Sequence, residues 1–472
     1  MALLYHQLST CFMTKILYTL VPFRLGVGLF TLFYALTLHA QVPQTTNKPE
    51  RVAWFQDLGF GMFIHWNVDV SLGAVISHSL AGASDEYVEK YLNELPQYFN
   101  PVSFNPSHWA KQAKLAGMKY VVFTTKHHAG FCMWNTQTTP FGVMNTPFKR
   151  DITKEIVEAF RQEGIAIGFY FSPEDFQFLH KNHIPIGRLQ HPKHYPANNP
   201  ALMDYDKRQL KELLTQYGAI DILFIDGPGD GLREYAWSLQ PNLVITRDLM
   251  NTPEQTTPNE PLPRPWEACY TMGTDWGYKP TNDPHKTGTQ VINMLIEIRA
   301  KGGNFLLNIG PKPNGEIQAE QEALLQEIAL WNFANAEAIH KVKPLPIIRE
   351  DNVWYTQSND ERYIYAYVTR NSPDDWKYGE RKTFVLTHLE GSDQTKVSIL
   401  GYRAELVEYK QGFDANTYLA PTPLGLVVSA VNGQRFYTNN RWPNAVVLRI
   451  EGAKFRKGTT PKSTQSTLDG AK

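Results

Sequence analysis

The chain has 472 residues, with Lys plus Arg and Asp plus Glu at 46 each and an apolar content of 42%. That length exceeds one ordinary domain and suits a barrel of roughly 250–350 residues with a smaller module beside it. The charge balance excludes the electrostatic footprint of a nucleic-acid or polyanion binder, and the 11 Trp leave two readings, sugar stacking or ordinary core packing.

Residues 1–40 have the anatomy of a secretion signal. Lys15 and Arg24 flank or precede the apolar run Leu25–Leu38, and Leu38-His-Ala40 offers a small residue for cleavage before Gln41. The run is short for a spanning helix, so a secreted or periplasmic protein is expected, with no membrane contact after cleavage; a membrane anchor is the alternative. Cys11 would leave with the signal. Cys132 and Cys269 both follow expected strand tips, which predicts buried or site-lining thiols rather than a disulfide framework. Residues 41–50 are a polar leader.

From 51 to 345 strands alternate with helices. Gly61–Trp66 reads as a buried strand ending in His65. Ser107 is expected to cap a helix stopping at Gly117, and the strand that follows from Lys119 ends in His127 and His128. Asp151 caps a helix stopping at Gly164, and Ala166–Ser172 then carries Tyr170 near its tip. A third helix stops at Gly218, and the strand Ile222–Ile225 delivers Asp226, where Gly227-Pro-Gly229 turns the backbone. Strands at 243–247, 266–271 and 304–309 bring the number to seven, and an eighth is expected near Pro344–Ile348. Helix, glycine stop, buried strand and polar tip is the rhythm of a TIM-like (β/α) barrel, whose strand ends form the catalytic face. A doubly wound sheet is the rival architecture, but no Gly-rich phosphate loop follows the first strand. From 350 to 452, six short strands without intervening helices predict a β-sandwich, and 453–472 read as a disordered tail.

Two carboxylates beside a scissile bond are the minimum equipment of most glycoside hydrolases. Asp226 ends an apolar strand, which has no use for an acid unless the strand delivers it to a site. Glu267, between Trp266 and a run of apolar and aromatic residues, is the second candidate, because burial against rings raises a carboxyl pKa as a proton donor requires. His65, His127 and His128 have two readings, zinc ligands or donors to sugar hydroxyls. The second is preferred, because adjacent histidines on a strand point to opposite faces and neither His-x-His nor His-Glu-x-x-His spacing occurs. No metal and no cofactor are therefore expected.

Five linked motifs carry a family resemblance. Gly61-Met-Phe-Ile-His-Trp66, Thr125-Lys-His-His-Ala-Gly-Phe131, Asp221-Ile-Leu-Phe-Ile-Asp-Gly227, Trp266-Glu-Ala-Cys-Tyr-Thr271 with Trp276-Gly-Tyr278, and Leu306-Leu-Asn-Ile-Gly-Pro311 resemble the α-L-fucosidases of glycoside hydrolase family 29. The resemblance implies a retaining exo-enzyme that releases terminal α-L-fucose from a fucosylated oligosaccharide or glycoconjugate without a metal. It implies Asp226 as nucleophile, Glu267 as acid/base, and His65, His127, His128, Tyr170 and Arg247 as sugar-binding residues. Trp66, Phe224 and Trp276 would then pack on the apolar face and C5 methyl of fucose. The chain also departs from the family pattern, with Phe224 where Trp is usual, an atypical loop from Asn67 to Ser84, Asp85–Glu89 in place of a Glu-Trp-Tyr motif, and Phe176 where Trp is common. Glu174, Glu86 and Glu89 are competing acids. A related sugar such as α-L-galactose, or a non-catalytic carbohydrate-binding barrel, is the alternative function.

Overall fold

The computed structural model describes residues 44–187, 191–403, 412–433 and 442–456. The expected signal segment, the first residues of the polar leader and most of the expected tail lie outside them. No described helix is long and apolar enough to cross a membrane.

Seven parallel strands form one sheet: β1 (Phe60–Ile64), β2 (Tyr120–Lys126), β3 (Ala166–Phe171), β4 (Ile222–Ile225), β5 (Val244–Ile245), β6 (Glu267–Thr271) and β7 (Asn304–Ile309), in the order β5-β4-β3-β2-β1-β7-β6. The helices α1 (Pro49–Leu58), α2 (Asp85–Asn93), α3 (Pro106–Leu115), α4 (Ile152–Gln162), α5 (Phe176–Lys181), α6 (Pro200–Gln216), α7 (Leu232–Leu239), α8 (Gly288–Ala300) and α9 (Ala319–Asn335) accompany them. The strands are buried on both faces, as βα crossovers require, so their sequences are continuous apolar runs. Asp151 caps α4 by accepting from the Lys154 N–H, as its position predicts; α3 is capped by Asn105 rather than by Ser107.

The sheet order leaves β5 and β6 as edges, and an irregular segment after β5 pairs with β6. The N–H groups of Glu267 and Cys269 donate to the carbonyls of Asn251 and Pro253, and the Gln255 N–H donates back to Cys269. Residues 251–255 thus run beside β6 at the sheet edge. The expectation of an eighth strand near Pro344–Ile348 is corrected: these residues lie in β8 (Val342–Glu350), which pairs antiparallel with β9 (Val353–Ser358). A short run such as Leu345–Ile348 cannot reveal by itself which sheet will receive it.

The remaining strands are β10 (Tyr363–Val368), β11 (Arg381–Leu386), β12 (Leu389–Glu390), β13 (Lys396–Ile399), β14 (Tyr418–Thr422), β15 (Gly425–Val431), β16 (Val446–Glu451) and β17 (Lys454–Phe455). A five-stranded antiparallel sheet (β13-β16-β10-β9-β8) and a three-stranded one (β11-β15-β14) enclose a core that includes Tyr355, Ala366, Leu426 and Leu448. The expected tail begins later than residue 453, because β17 pairs with β12. The barrel and these sheets share one compact unit. Trp331 of α9 donates to the Ala445 carbonyl and Thr289 of α8 to Asn444, so the helices on this side are bonded to the antiparallel layer.

Candidate active site

Alternation along a strand sends every second side chain into the barrel. On β4 these are Ile222 and Phe224, with Asp226 next above them at the C-terminal rim; on β6 they are Glu267, Cys269 and Thr271. The interior is filled by Phe63, Val122, Ile222, Val244, Cys269 and Leu306, with Tyr170 and Phe224 nearer the rim.

Asp226 is the centre of the rim. Its Oδ1 lies 2.8 Å from Arg247 Nε, and its Oδ2 accepts from the Tyr170 hydroxyl at 2.5 Å and lies 3.3 Å from His128 Nε2. Burial alone would raise its pKa, but the His128 imidazolium, the Arg247 guanidinium and the Tyr170 hydroxyl outweigh burial and hold the carboxyl far below the usual range. Burial would likewise lower His128, yet Asp226 and Glu174 overcome it and raise the imidazole to about 9. Asp226 is therefore an anion in a cationic cradle. The floor beneath it is aromatic: Phe224 stacks on Tyr170 at 5.5 Å, and the Arg247 guanidinium lies 5.5 Å over the Phe224 ring.

The histidines surround this carboxylate. His65, at the end of β1, has its Nδ1 2.6 Å from Asn308 Oδ1. The Asn308 amide nitrogen is committed to the Trp276 carbonyl, so its oxygen faces His65 and His65 Nδ1 carries the proton, leaving Nε2 as an acceptor. Burial lowers His65 to about 4, which keeps the ring neutral. The Trp276 ring lies 4.9 Å from that of His65 and completes one wall.

His127 and His128 do not point to opposite faces. Strand β2 ends at Lys126, after a register shift between Thr124 and Lys126 against β3, and the two histidines occupy the turn that follows. Their rings lie 4.9 Å apart and face the same rim. Gly130 closes this turn at φ +86°, accepting the close approach of Asp175 that a Cβ would block. His127 Nδ1 lies 2.8 Å from the Ser77 hydroxyl, and burial pushes His127 well down. Ser77 is fully buried at φ +56°, a strained setting for a residue with a Cβ, and its N–H donates to Asp69. The atypical first loop therefore reaches into the site through Ser77, and His78, next to it, packs its ring 5.4 Å from His128.

His127, His128 and Asp226 present ligand atoms within 4.8 Å of one another, a grouping that strand alternation did not anticipate. A cation there would have to displace the proton of His128, because metal ligation needs a neutral imidazole.

The structure does not bring two of the expected residues to this rim. Trp66 is buried against Phe99, Phe104 and Trp109 at 5.2–5.5 Å, in the layer between barrel and helices. Being one residue past His65, it faces the other way. Glu267 is the first residue of β6, so it sits at the opposite end of the barrel, where Tyr120 of β2 donates to its Oε2 at 2.5 Å. Cys269 and Thr271 on its own strand, and Ile222 and Phe224 on β4, separate it from Asp226. The Trp-Glu dipeptide marks where β6 begins, not where it ends.

A different glutamate stands beside Asp226. Arg247, whose Nε holds Asp226, uses Nη1 to hold the carboxylate of Glu254. Glu254 lies in the segment 251–255, with its side chain 41% exposed and so accessible from the mouth. Its only sequence signal was an acid seven residues beyond a strand-tip arginine, in a Pro-rich loop without a motif.

Residues 37–337 match the family model for alpha-L-fucosidase. The chain belongs to this family. An alpha-L-fucosidase is a glycoside hydrolase, so the rim described above is that of an enzyme. The alpha-L-fucosidase of Dictyostelium discoideum is 27% identical over 400 residues, covering 75% of this chain and 84% of that protein. Among solved structures, alpha-L-fucosidase isoenzyme 1 from Paenibacillus thiaminolyticus is 29% identical with a TM-score of 0.68, covering 85% of this chain and 99% of that one. A Bacteroides thetaiotaomicron alpha-L-fucosidase, solved as a trapped covalent intermediate, shares the fold at 22% identity and TM-score 0.67, covering 88% of this chain and 98% of that one.

Proposed function

We propose that this alpha-L-fucosidase releases a terminal α-L-fucosyl residue from a glycan with net retention, through a covalent intermediate on Asp226. Asp226 Oδ attacks the anomeric carbon as the glycosidic C–O bond breaks, and Glu254, released from Arg247 and protonated from solvent as the sugar binds, gives that proton to the departing oxygen. Water then attacks the β-linked glycosyl-enzyme, Glu254 takes the water's proton, and the Asp226 ester bond breaks to restore both groups. The observation that carries this reading is the shared guanidinium: Arg247 holds both carboxylates at once. Retaining enzymes need the pair about 5–5.5 Å apart, a spacing that one guanidinium between two carboxylates favours. Glu254 replaces Glu267 in the acid/base role. His65 Nε2 and the His127 imidazole face the sugar hydroxyls, and Phe224 with Trp276 supplies an apolar face for the C5 methyl.

Azide separates the two roles. With a dinitrophenyl α-L-fucoside, Glu254→Ala should retain the first step, stall at the second, and be accelerated by azide to give α-L-fucosyl azide. Asp226→Ala should lose on the order of 10³–10⁶-fold in turnover, and azide should return the β-anomer, because it attacks the substrate directly. The same product from both variants would refute the assignment. Running the α-L-galactoside in parallel tests the sugar, and absence of turnover on either would leave a binding barrel. We also infer export, resting on the charged flank, apolar run and small cleavage residue of segment 1–40; detection of the mature chain beginning at Gln41 is its test.

A further inference from the structure

The rim holds another acid, Glu174, that the reaction above leaves unused. It lies in the loop between β3 and α5, and both of its oxygens are engaged. Oε2 is 3.3 Å from His128 Nδ1, and Oε1 is 3.0 Å from His194 Nδ1. His194, only 3% exposed in its side chain, places Nε2 2.8 Å from the Pro185 carbonyl. Each nitrogen of His194 thus faces an oxygen that only accepts, and each nitrogen of His128 faces a carboxylate. The Ser172 hydroxyl, 2.6 Å from His128 Nδ1, donates to the Glu174 backbone carbonyl, so it too is placed to accept from that nitrogen.

We propose that Glu174 and His194 are positioning residues for the nucleophile: they keep both ring nitrogens of His128 protonated and aim its Nε2–H at Asp226. The arrangement follows the logic of a third group orienting a histidine beside a nucleophile, with a carboxylate fixing the far side of the ring. It differs in that His128 here presents a proton to the nucleophile rather than taking one, so Asp226 stays anionic and in one orientation. The inference rests on Asp226 being the nucleophile. His194 is 32 residues before Asp226 in a loop that carries none of the five motifs, so nothing in the sequence singles it out.

The groups facing His128 are few. Asp226 and Glu174 flank its two nitrogens, the Ser172 hydroxyl is 2.6 Å from Nδ1, the His127 and His78 rings lie 4.9 and 5.4 Å away, and Phe176 stacks at 5.8 Å. Arg247 and Tyr170 act one step further out, on Asp226. Removing the Glu174 charge removes one of the two anions that hold the His128 proton against burial.

The test follows the His128 imidazole by NMR in histidine-labelled protein, alongside the pH profile of kcat/KM for a dinitrophenyl α-L-fucoside. That leaving group departs without Glu254's proton, so the alkaline limb reports the cradle rather than the acid/base. In Glu174→Gln the His128 titration should move down by about one pH unit or more, and the alkaline limb should move with it, while KM changes little. His194→Gln should shift both the same way by less, and Glu174→Asp should restore most of the shift. An unmoved titration in Glu174→Gln overturns the proposal. So does a loss confined to poor leaving groups and rescued by azide, which would make Glu174 the proton donor. Should the wild type hydrolyse no fucoside, the fucosidase reading fails, while the titration still decides the relay.

Discussion

A carboxylate at a barrel rim does different work from one at its base, and Asp226 and Glu267 illustrate the contrast. Asp226 receives a hydroxyl and two cations, so its charge is held in place. Glu267 is fully buried with one hydroxyl partner, and burial raises it to about 8 against that single hydrogen bond. The sign of the consequence follows from linkage. Below the unfolded carboxyl pKa, about 4.5, Glu267 is protonated folded and unfolded and carries no penalty. As pH rises to about 8, only the unfolded chain releases the proton, so stability falls through this window and levels off above it. Glu267→Gln, which keeps an acceptor for Tyr120, should therefore gain on the order of a few kcal/mol at pH 8 and little at pH 5, with turnover on the aryl fucoside retained. Urea denaturation at the two pH values measures the gap; equal gains at both would show that Glu267 does not titrate as its burial implies.

At the scale of elements, the rim depends on how the turn after β2 meets the loop after β3. Behind the histidines, Lys126 is buried with its Nζ 2.9 Å from Asp206, 3.3 Å from Asp175 and 2.8 Å from Gln209. Asp175 also caps α5 by accepting from the Phe178 N–H, so one ammonium joins the end of β2 to the start of α5 and to the side of α6. Lys126→Met would strand two carboxylates without their cation, and the expected cost is about 3–5 kcal/mol. A thermal melt should show it, and an unchanged Tm would mean that the network contributes nothing net. The same element boundary explains the histidines: a strand continued to His128 would have split the pair across the sheet, whereas the turn at 127–130 gathers both.

Across the whole molecule, the barrel is not independent of the antiparallel layer. The principal core runs from Met62 and Ile167 in the barrel through Trp331 to Tyr367 and Val447. Helix α8 packs against β8 and β9, and Tyr367 donates its hydroxyl to the Ala338 carbonyl. Removing residues 346–472 would expose this apolar surface and the α8–α9 side to water. The truncated chain is expected to be insoluble or unfolded by circular dichroism, and the intact protein to melt in one calorimetric transition. Two separated transitions, or a soluble active barrel, would instead establish two independent folding units.

Local pattern alone marked where the seven parallel strands and six strands of the C-terminal part lie along the chain, and placed Asp226, His65 and Tyr170 at strand ends. These features depend on burial and alternation within a few residues, so they are written in the chain itself. Tertiary structure alone decided which carboxylate shares Arg247 with Asp226, because that turns on where β6 begins and on the unpatterned segment 251–255 that pairs with it. It likewise decided that Trp66 faces the helices and that Pro344–Ile348 leaves the barrel for the antiparallel sheet. It brought His194 and Glu174 to His128 as well. Contacts between residues far apart in the chain leave no periodic trace in it; only the folded packing of strand ends and loops brings them together.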